Sequence, residues 1–171
     1  MTKRSLELAE LETELDNILS STGSIAETKW VGRFTDLMQE ASSYECKDRM
    51  LKALMKTPQN EKATLSRFIQ LGGIEIIGSW LNHHRQNLQP EDTNIIHSCL
   101  ACLNKLSIST EILDKTQIGK AVNKLAKYAD PSIQAKSLTI VSKWKKIVTE
   151  QENPKKPQKL NKEMPVALLK K

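Results

Sequence analysis

Aromatic side chains are scarce in this chain of 171 residues: two tyrosines, two phenylalanines and three tryptophans. Glycine and proline are also few, at six each, while leucine, isoleucine, alanine and lysine are plentiful. That balance favours helices. The three cysteines, Cys46, Cys99 and Cys102, are an odd number and too sparse for a disulfide scaffold, so a reducing compartment is expected. No run approaches eighteen apolar residues, and Met1-Thr2-Lys3-Arg4-Ser5 leads into an acidic stretch. Neither a transmembrane span nor a secretory signal is therefore expected. A phosphate-binding glycine loop is missing too, because the glycines after Leu71 are a pair and not a spaced set followed by lysine and a hydroxyl. Serines and histidines lack a strand-turn-helix nucleophile setting. Glu12, Glu14 and Asp16 read as the solvated face of an amphipathic helix. These absences argue against an enzyme, and no cofactor is expected.

What is present fits one domain with a real core. The net charge of +6 hides an asymmetry. Residues 1–114 carry 12 Lys and Arg against 16 Asp and Glu, a net of −4, whereas residues 115–171 carry 14 against 4, a net of +10. A cationic end of this kind can attract nucleic acid or an acidic protein segment, and it is equally what a solvated helix face plus a lysine-rich tail would give.

Apolar residues recur at helical spacing along most of the chain. Leu6, Leu8, Leu11, Leu15 and Ile18 predict a first helix over 5–20, broken by Ser20-Ser21-Thr22-Gly23-Ser24. Trp30, Phe34, Leu37, Met38 and Ala41 predict a helix over 25–44, and Met50, Leu51, Leu54 and Met55 extend the spacing to a stop at Thr57-Pro58. Residues 60–71 form the next, ending at Gly72-Gly73, where one glycine can take the left-handed conformation. Ile74, Ile76, Ile77, Trp80 and Leu81 mark a helix over 74–84. The loop Asn87-Leu88-Gln89-Pro90-Glu91-Asp92 then starts a helix over 91–106 whose inner face is Ile95, Ile96, Cys99, Leu100, Leu103 and Leu106. Ser109 or Thr110 caps a short segment through Leu113. After Val148 the periodicity stops, and 150–171, with three prolines and six lysines, reads as a disordered basic tail with a small apolar patch at Val166-Ala167-Leu168-Leu169. The expected organisation is an N-terminal helix and linker over 1–24, a helical domain over 25–149, and the tail.

The centre of the chain is the stretch 118–148. Ile118, Val122 and Leu125 make one apolar stripe. Ile133, Ser137, Ile140 or Val141, Trp144, and Ile147 or Val148 make another, with lysines on the opposite side. Asp130-Pro131 is a strong helix start, since the carboxylate caps an amide and proline at the first helical position gives one up at no loss. Glu111-Ile112-Leu113-Asp114-Lys115-Thr116-Gln117-Ile118-Gly119-Lys120-Ala121-Val122-Asn123-Lys124-Leu125, then a turn, then Lys143-Trp144-Lys145-Lys146-Ile147-Val148, resembles the N-terminal domain of transcription elongation factor IIS. Upstream, Lys52-Ala53-Leu54, Arg67-Phe68-Ile69-Gln70-Leu71-Gly72-Gly73 and Trp80-Leu81 are similar to the extended branch of that family found in the phosphatase 1 nuclear targeting subunit. With them the resemblance covers about residues 30–148.

The resemblance implies an all-α fold, a right-handed bundle of stacked hairpins of the armadillo or HEAT kind, with Ile118, Val122, Leu125 and Trp144 as structural core. It implies a nuclear protein-interaction module for transcription elongation or termination that binds short disordered motifs bearing an aromatic or leucine anchor and acidic flanks. By order along the chain, the family's pocket falls at Asn87-Leu88-Gln89 and Tyr128-Ala129-Asp130. There Leu88 would form an apolar wall beside Gln89, Tyr128 would offer a ring to the anchor, and Lys124 or Lys127 would meet acidic flanks; alternatively, Leu88 and Tyr128 only seal the hairpin ends. The phosphatase-docking pattern occurs only in part, at Val141-Ser142-Lys143-Trp144 within the expected core helix, so phosphatase contact is expected outside this chain.

Two other chemistries have partial signals in the chain. His97, Cys99 and Cys102 form His-x-Cys-x-x-Cys, part of a zinc site that needs four ligands. Cys46 stands alone, His83-His84 sit at a helix end, and Cys99 falls on the buried stripe, so core cysteines and no metal are expected. For nucleic acid, Lys136, Lys143, Lys145, Lys146, Lys120, Lys124 and Lys127 supply salt-dependent, sequence-blind attraction. Specific readout or stacking would need arginines and exposed aromatics, of which Tyr128 is the one candidate.

Overall fold

A computed structural model describes residues 6–87, 89–128 and 130–152. Helix α1 (Leu8–Ile18) buries Leu11, Leu15 and Ile18, spaced by four and three, and Glu7 with Glu10 closes its first turn as a capping box. Its acidic side is not merely solvated. Glu12 accepts from Arg49 at 2.8 Å and Glu14 pairs with Arg33 at 3.0 Å, fastening α1 to the two helices that follow.

The helix expected over 25–44 begins later. Leu19 and Ile25 form an isolated antiparallel bridge around the serine-rich turn. The Ile25 amide donates to the buried Thr57 hydroxyl at 3.1 Å. Held in this way, the chain passes through a 3-10 turn at Thr28–Trp30 before α2 (Val31–Glu40) starts. Ser43 then caps α3 (Tyr44–Lys56), accepting from the Cys46 amide at 3.1 Å.

α4 (Lys62–Gln70) hands over to α5 (Gly73–His84) through Gly72, whose φ of +93° only glycine adopts without strain. α6 (Pro90–Lys105) lies at the centre, packed on α3, α5 and α9 (Pro131–Glu152). Between them, α7 (Thr110–Thr116) and α8 (Ile118–Leu125) share Gln117, the last cap of one and the first of the other, at φ +58°. Asp130 caps α9 as its sequence predicts, accepting from the Ser132 and Ile133 amides at 2.8 and 3.2 Å. The helix runs on through Glu152, so residues 150–152 are helical where a tail was expected. The rest of that tail, with the Val166 to Leu169 patch, lies outside the described residues.

The described residues thus form an all-α bundle of nine helices. Most of these helices are too short to persist alone in water, so packing sustains them. One contiguous apolar cluster runs from Leu6 to Trp144 and includes residues of α1. Ile118, Val122, Leu125 and Trp144 all belong to it, at 1, 0, 0 and 3% exposure.

Candidate partner-binding site

The described ends of the loop between α5 and α6 are tied down by hydrogen bonds. At the end of α5, carbonyls that the helix cannot satisfy accept from side chains just beyond it: Asn82 from Gln86 at 3.0 Å, and His83 from Asn87 at 3.1 Å. At the start of α6, Pro90 occupies the first turn and Asp92 accepts from the Gln89 amide at 3.2 Å, one half of a capping box. The two ends are tied directly, because His84 Nδ1 and Asp92 Oδ1 lie 2.6 Å apart with both side chains buried.

That bond is the middle of a longer buried chain. Lys47 Nζ on α3 sits 2.9 Å from His84 Nε2, and Tyr44 donates to Asp92 at 3.1 Å. A lysine ammonium can only donate, so Nε2 accepts and Nδ1 carries the proton that goes to Asp92. Burial, aided by the Lys47 charge, holds the His84 imidazole below its ordinary value and therefore neutral. Burial alone would raise Asp92, but the bonds from His84, Tyr44 and the Gln89 amide outweigh it and keep the carboxyl below the usual range. Lys47, buried over the Trp80 ring, is pushed down by desolvation. Apart from the adjacent histidines, no local pattern in the chain marks this cluster.

The second loop, after α8, meets the first. The Tyr128 hydroxyl donates to the Asn87 carbonyl at 3.2 Å, joining positions 41 residues apart. Tyr128 was expected to be exposed, and this is corrected: it is 8% exposed, because its ring joins the apolar core cluster while its hydroxyl reaches the Asn87 carbonyl. Gln134 further donates to the Tyr128 carbonyl. Gln89, Lys124 and Lys127 are exposed, and Leu88 lies outside the described residues. The two predicted loops are thus neighbours, with lysines on one flank.

The remaining candidates separate. Cys99 and Cys102 are fully buried, and burial pushes the Cys99 thiol well up and the Cys102 thiol up to about 12, so both stay protonated. His97 lies instead 3.0 Å from Lys136, and burial, aided by that charge, lowers its imidazole below the ordinary value. Among the described residues no group of three His, Cys, Asp or Glu side chains could hold a metal ion, and no helix is long and apolar enough to cross a membrane. Lys120, Lys145 and Lys146 point to solvent, while Lys143 donates to the Asn104 carbonyl at 2.8 Å.

Comparison with known proteins agrees with this architecture. The family model described as Med26, TFIIS helical bundle-like domain, matches residues 98–148. Serine/threonine-protein phosphatase 1 regulatory subunit 10 of Xenopus laevis is 25% identical over 146 residues, covering 84% of this chain and 17% of that protein. The probable mediator of RNA polymerase II transcription subunit 26b of Arabidopsis thaliana is 33% identical over 70 residues, covering 41% of this chain and 16% of its own length. The chain therefore spans less than a fifth of these curated relatives. Among solved structures, a chain of the Spt6-Iws1(Spn1) complex from Encephalitozoon cuniculi superposes with a TM-score of 0.54 at 18% identity, covering 71% of this chain and 95% of that one, a likeness of fold. These relatives are named as a phosphatase regulatory subunit and a probable transcription mediator subunit. Residues 98–148, from the middle of α6 to near the end of α9, thus match the TFIIS helical bundle-like family model, and the similarity to phosphatase 1 regulatory subunit 10 extends into the helices upstream.

Proposed function

We propose that this chain is a non-catalytic interaction module of a nuclear regulator of transcription elongation or termination, with residues 25–149 as the working unit. It binds short disordered motifs of transcription or chromatin proteins at the face where the α5–α6 and α8–α9 loops meet, within an assembly whose phosphatase 1 contact lies outside this chain. The Tyr128–Asn87 hydrogen bond carries the reading, since it makes one surface of two loops that are distant in sequence. Leu88 and Gln89 receive an apolar anchor there, Tyr128 braces the floor, and Lys124 and Lys127 orient acidic flanks. The names of the relatives support a transcription setting.

The test is a pull-down from nuclear extract with the whole chain beside Lys124→Glu/Lys127→Glu, after circular dichroism has matched their folds. Transcription proteins retained by the wild type and lost with the variant support the reading; an identical partner list removes the loop face. The exposed lysines of α8 and α9 also favour a second reading, sequence-blind nucleic-acid binding. That reading requires affinity for unrelated duplexes to collapse alike as salt rises.

A further inference from the structure

At the other end of the α8–α9 hairpin lies a groove of about 520 Å³. Leu113, Val141, Trp144 and Val148 supply its apolar wall, and Lys120 and Lys145 border it. Val141, Trp144 and Val148 follow one another at i, i+3 and i+7. They form a straight stripe of about two helical turns, roughly 10 Å long, in which Val141 and Trp144, 9 and 3% exposed, are the buried floor of the groove and Val148 its half-buried end.

Two further features of this groove have no explanation among the described residues. Gly119 lines it near the start of α8, yet neither usual cause for glycine applies. Its φ is not positive, and an added Cβ would meet nothing within 4 Å. The position is simply left open. Trp144, 3% exposed, has an indole N–H that finds no acceptor among the described residues, an unfavourable state for a buried donor. No carboxylate lines the groove, and among the described residues neither border ammonium has an acidic partner.

We propose that this groove docks an acidic amphipathic helix from a partner protein, as a second surface separate from the loop face. Apolar residues at i, i+3 or i+4, and i+7 of the incoming helix pack on the Val141–Trp144–Val148 stripe. Its backbone crosses at Gly119, where the missing side chain permits close approach. Its carboxylates face Lys120 and Lys145. Charge selects the occupant: the chain's own C-terminal segment and a second copy of this surface both present lysines to lysines.

The probe is a capped helical peptide of roughly 16 residues, with leucines at that spacing and glutamate and alanine elsewhere. It is titrated into the ¹⁵N-labelled whole chain while the Trp144 indole resonance, assigned with Trp144→Phe, is followed. We expect a saturable shift. Gly119→Leu places its Cβ in open space, so it should keep the circular dichroism of the wild type and weaken binding at least about tenfold. Lys120→Glu/Lys145→Glu should lose binding, whereas Lys124→Glu/Lys127→Glu, at the loop face, should bind as the wild type does. Unchanged affinity in Gly119→Leu would overturn the proposal, as would an equal response to the peptide with lysine in place of glutamate. Self-association of the chain that Gly119→Leu abolishes would also overturn it, by naming a second copy as the occupant.

Discussion

Replacing Asp92 by alanine should be among the most damaging single changes in this chain. The carboxylate is fully buried and accepts from His84 at 2.6 Å, Tyr44 at 3.1 Å and the Gln89 amide at 3.2 Å. A hydrogen bond to a charged group is worth about 1.5–3 kcal/mol, though three at one carboxylate do not add in full. Removal also strands Lys47 and His84 in a dry site, and breaking a buried charged cluster costs about 3–5 kcal/mol. For a protein of this size that lowers the melting temperature by roughly 6–20 °C. Urea titration followed by circular dichroism measures the loss directly. Glu91→Ala, exposed in the same first turn, is the control, and should stay within about 0.5 kcal/mol of wild type. An Asp92→Ala loss within about 1 kcal/mol of that control would refute the argument that this cluster holds the loop. The same cluster fixes a pH dependence. His84 is held neutral in the fold, below its ordinary value, whereas the unfolded chain takes up a proton near pH 6.5. The unfolded state then binds more protons, so stability falls as pH drops through that point. Asp92, also held low, adds a second loss below about pH 3.9. His84→Gln should show a shallower decline between pH 7 and 5 than the wild type.

Two glycine substitutions should have opposite signs. Gly72→Ala, at φ +93°, should destabilise by about 1–2 kcal/mol, whereas Gly119→Ala, with open space and a helical φ, should stabilise by about 0.5 kcal/mol, both read by urea titration. Trp144→Ala should cost about 3–5 kcal/mol on the same assay, and a loss under about 1 kcal/mol would show that the ring is not core. Cys99 and Cys102, buried and protonated, should resist a thiol reagent in the native protein and react once it is unfolded; fast native labelling would contradict their placement.

Much of this fold could be read where one helix carries its own signal. Asp130-Pro131 announced the start of α9, Gly72-Gly73 the break before α5, and the spacing of Ile118, Val122, Leu125 and Trp144 a buried seam. Such signals are local, because capping and periodicity act within a turn or two. The Lys47–His84–Asp92 cluster was illegible for the opposite reason. Its members come from three helices, and Lys47 and His84 are 37 residues apart, so no spacing marks them. The delayed start of α2 likewise depends on Thr57, 32 residues from Ile25. At the loop face the order of the motif brought Asn87 and Tyr128 together, but a tyrosine at a helix end reads alike whether its ring faces solvent or covers a seam.

Gln117 has a consequence for recognition. A single residue ends α7 and begins α8, so these helices meet at a corner with no slack. Leu113 on one arm and Lys120 on the other are therefore set by one pair of backbone torsions, and neither can swing away unless a helix unwinds. The surface they share behaves as a mould cast in advance. An incoming segment supplies nearly all of the ordering entropy, while this chain contributes little. Its selectivity then rests on which sequences can fold to fit, and lengthening the corner by even one residue should trade that discrimination for tolerance.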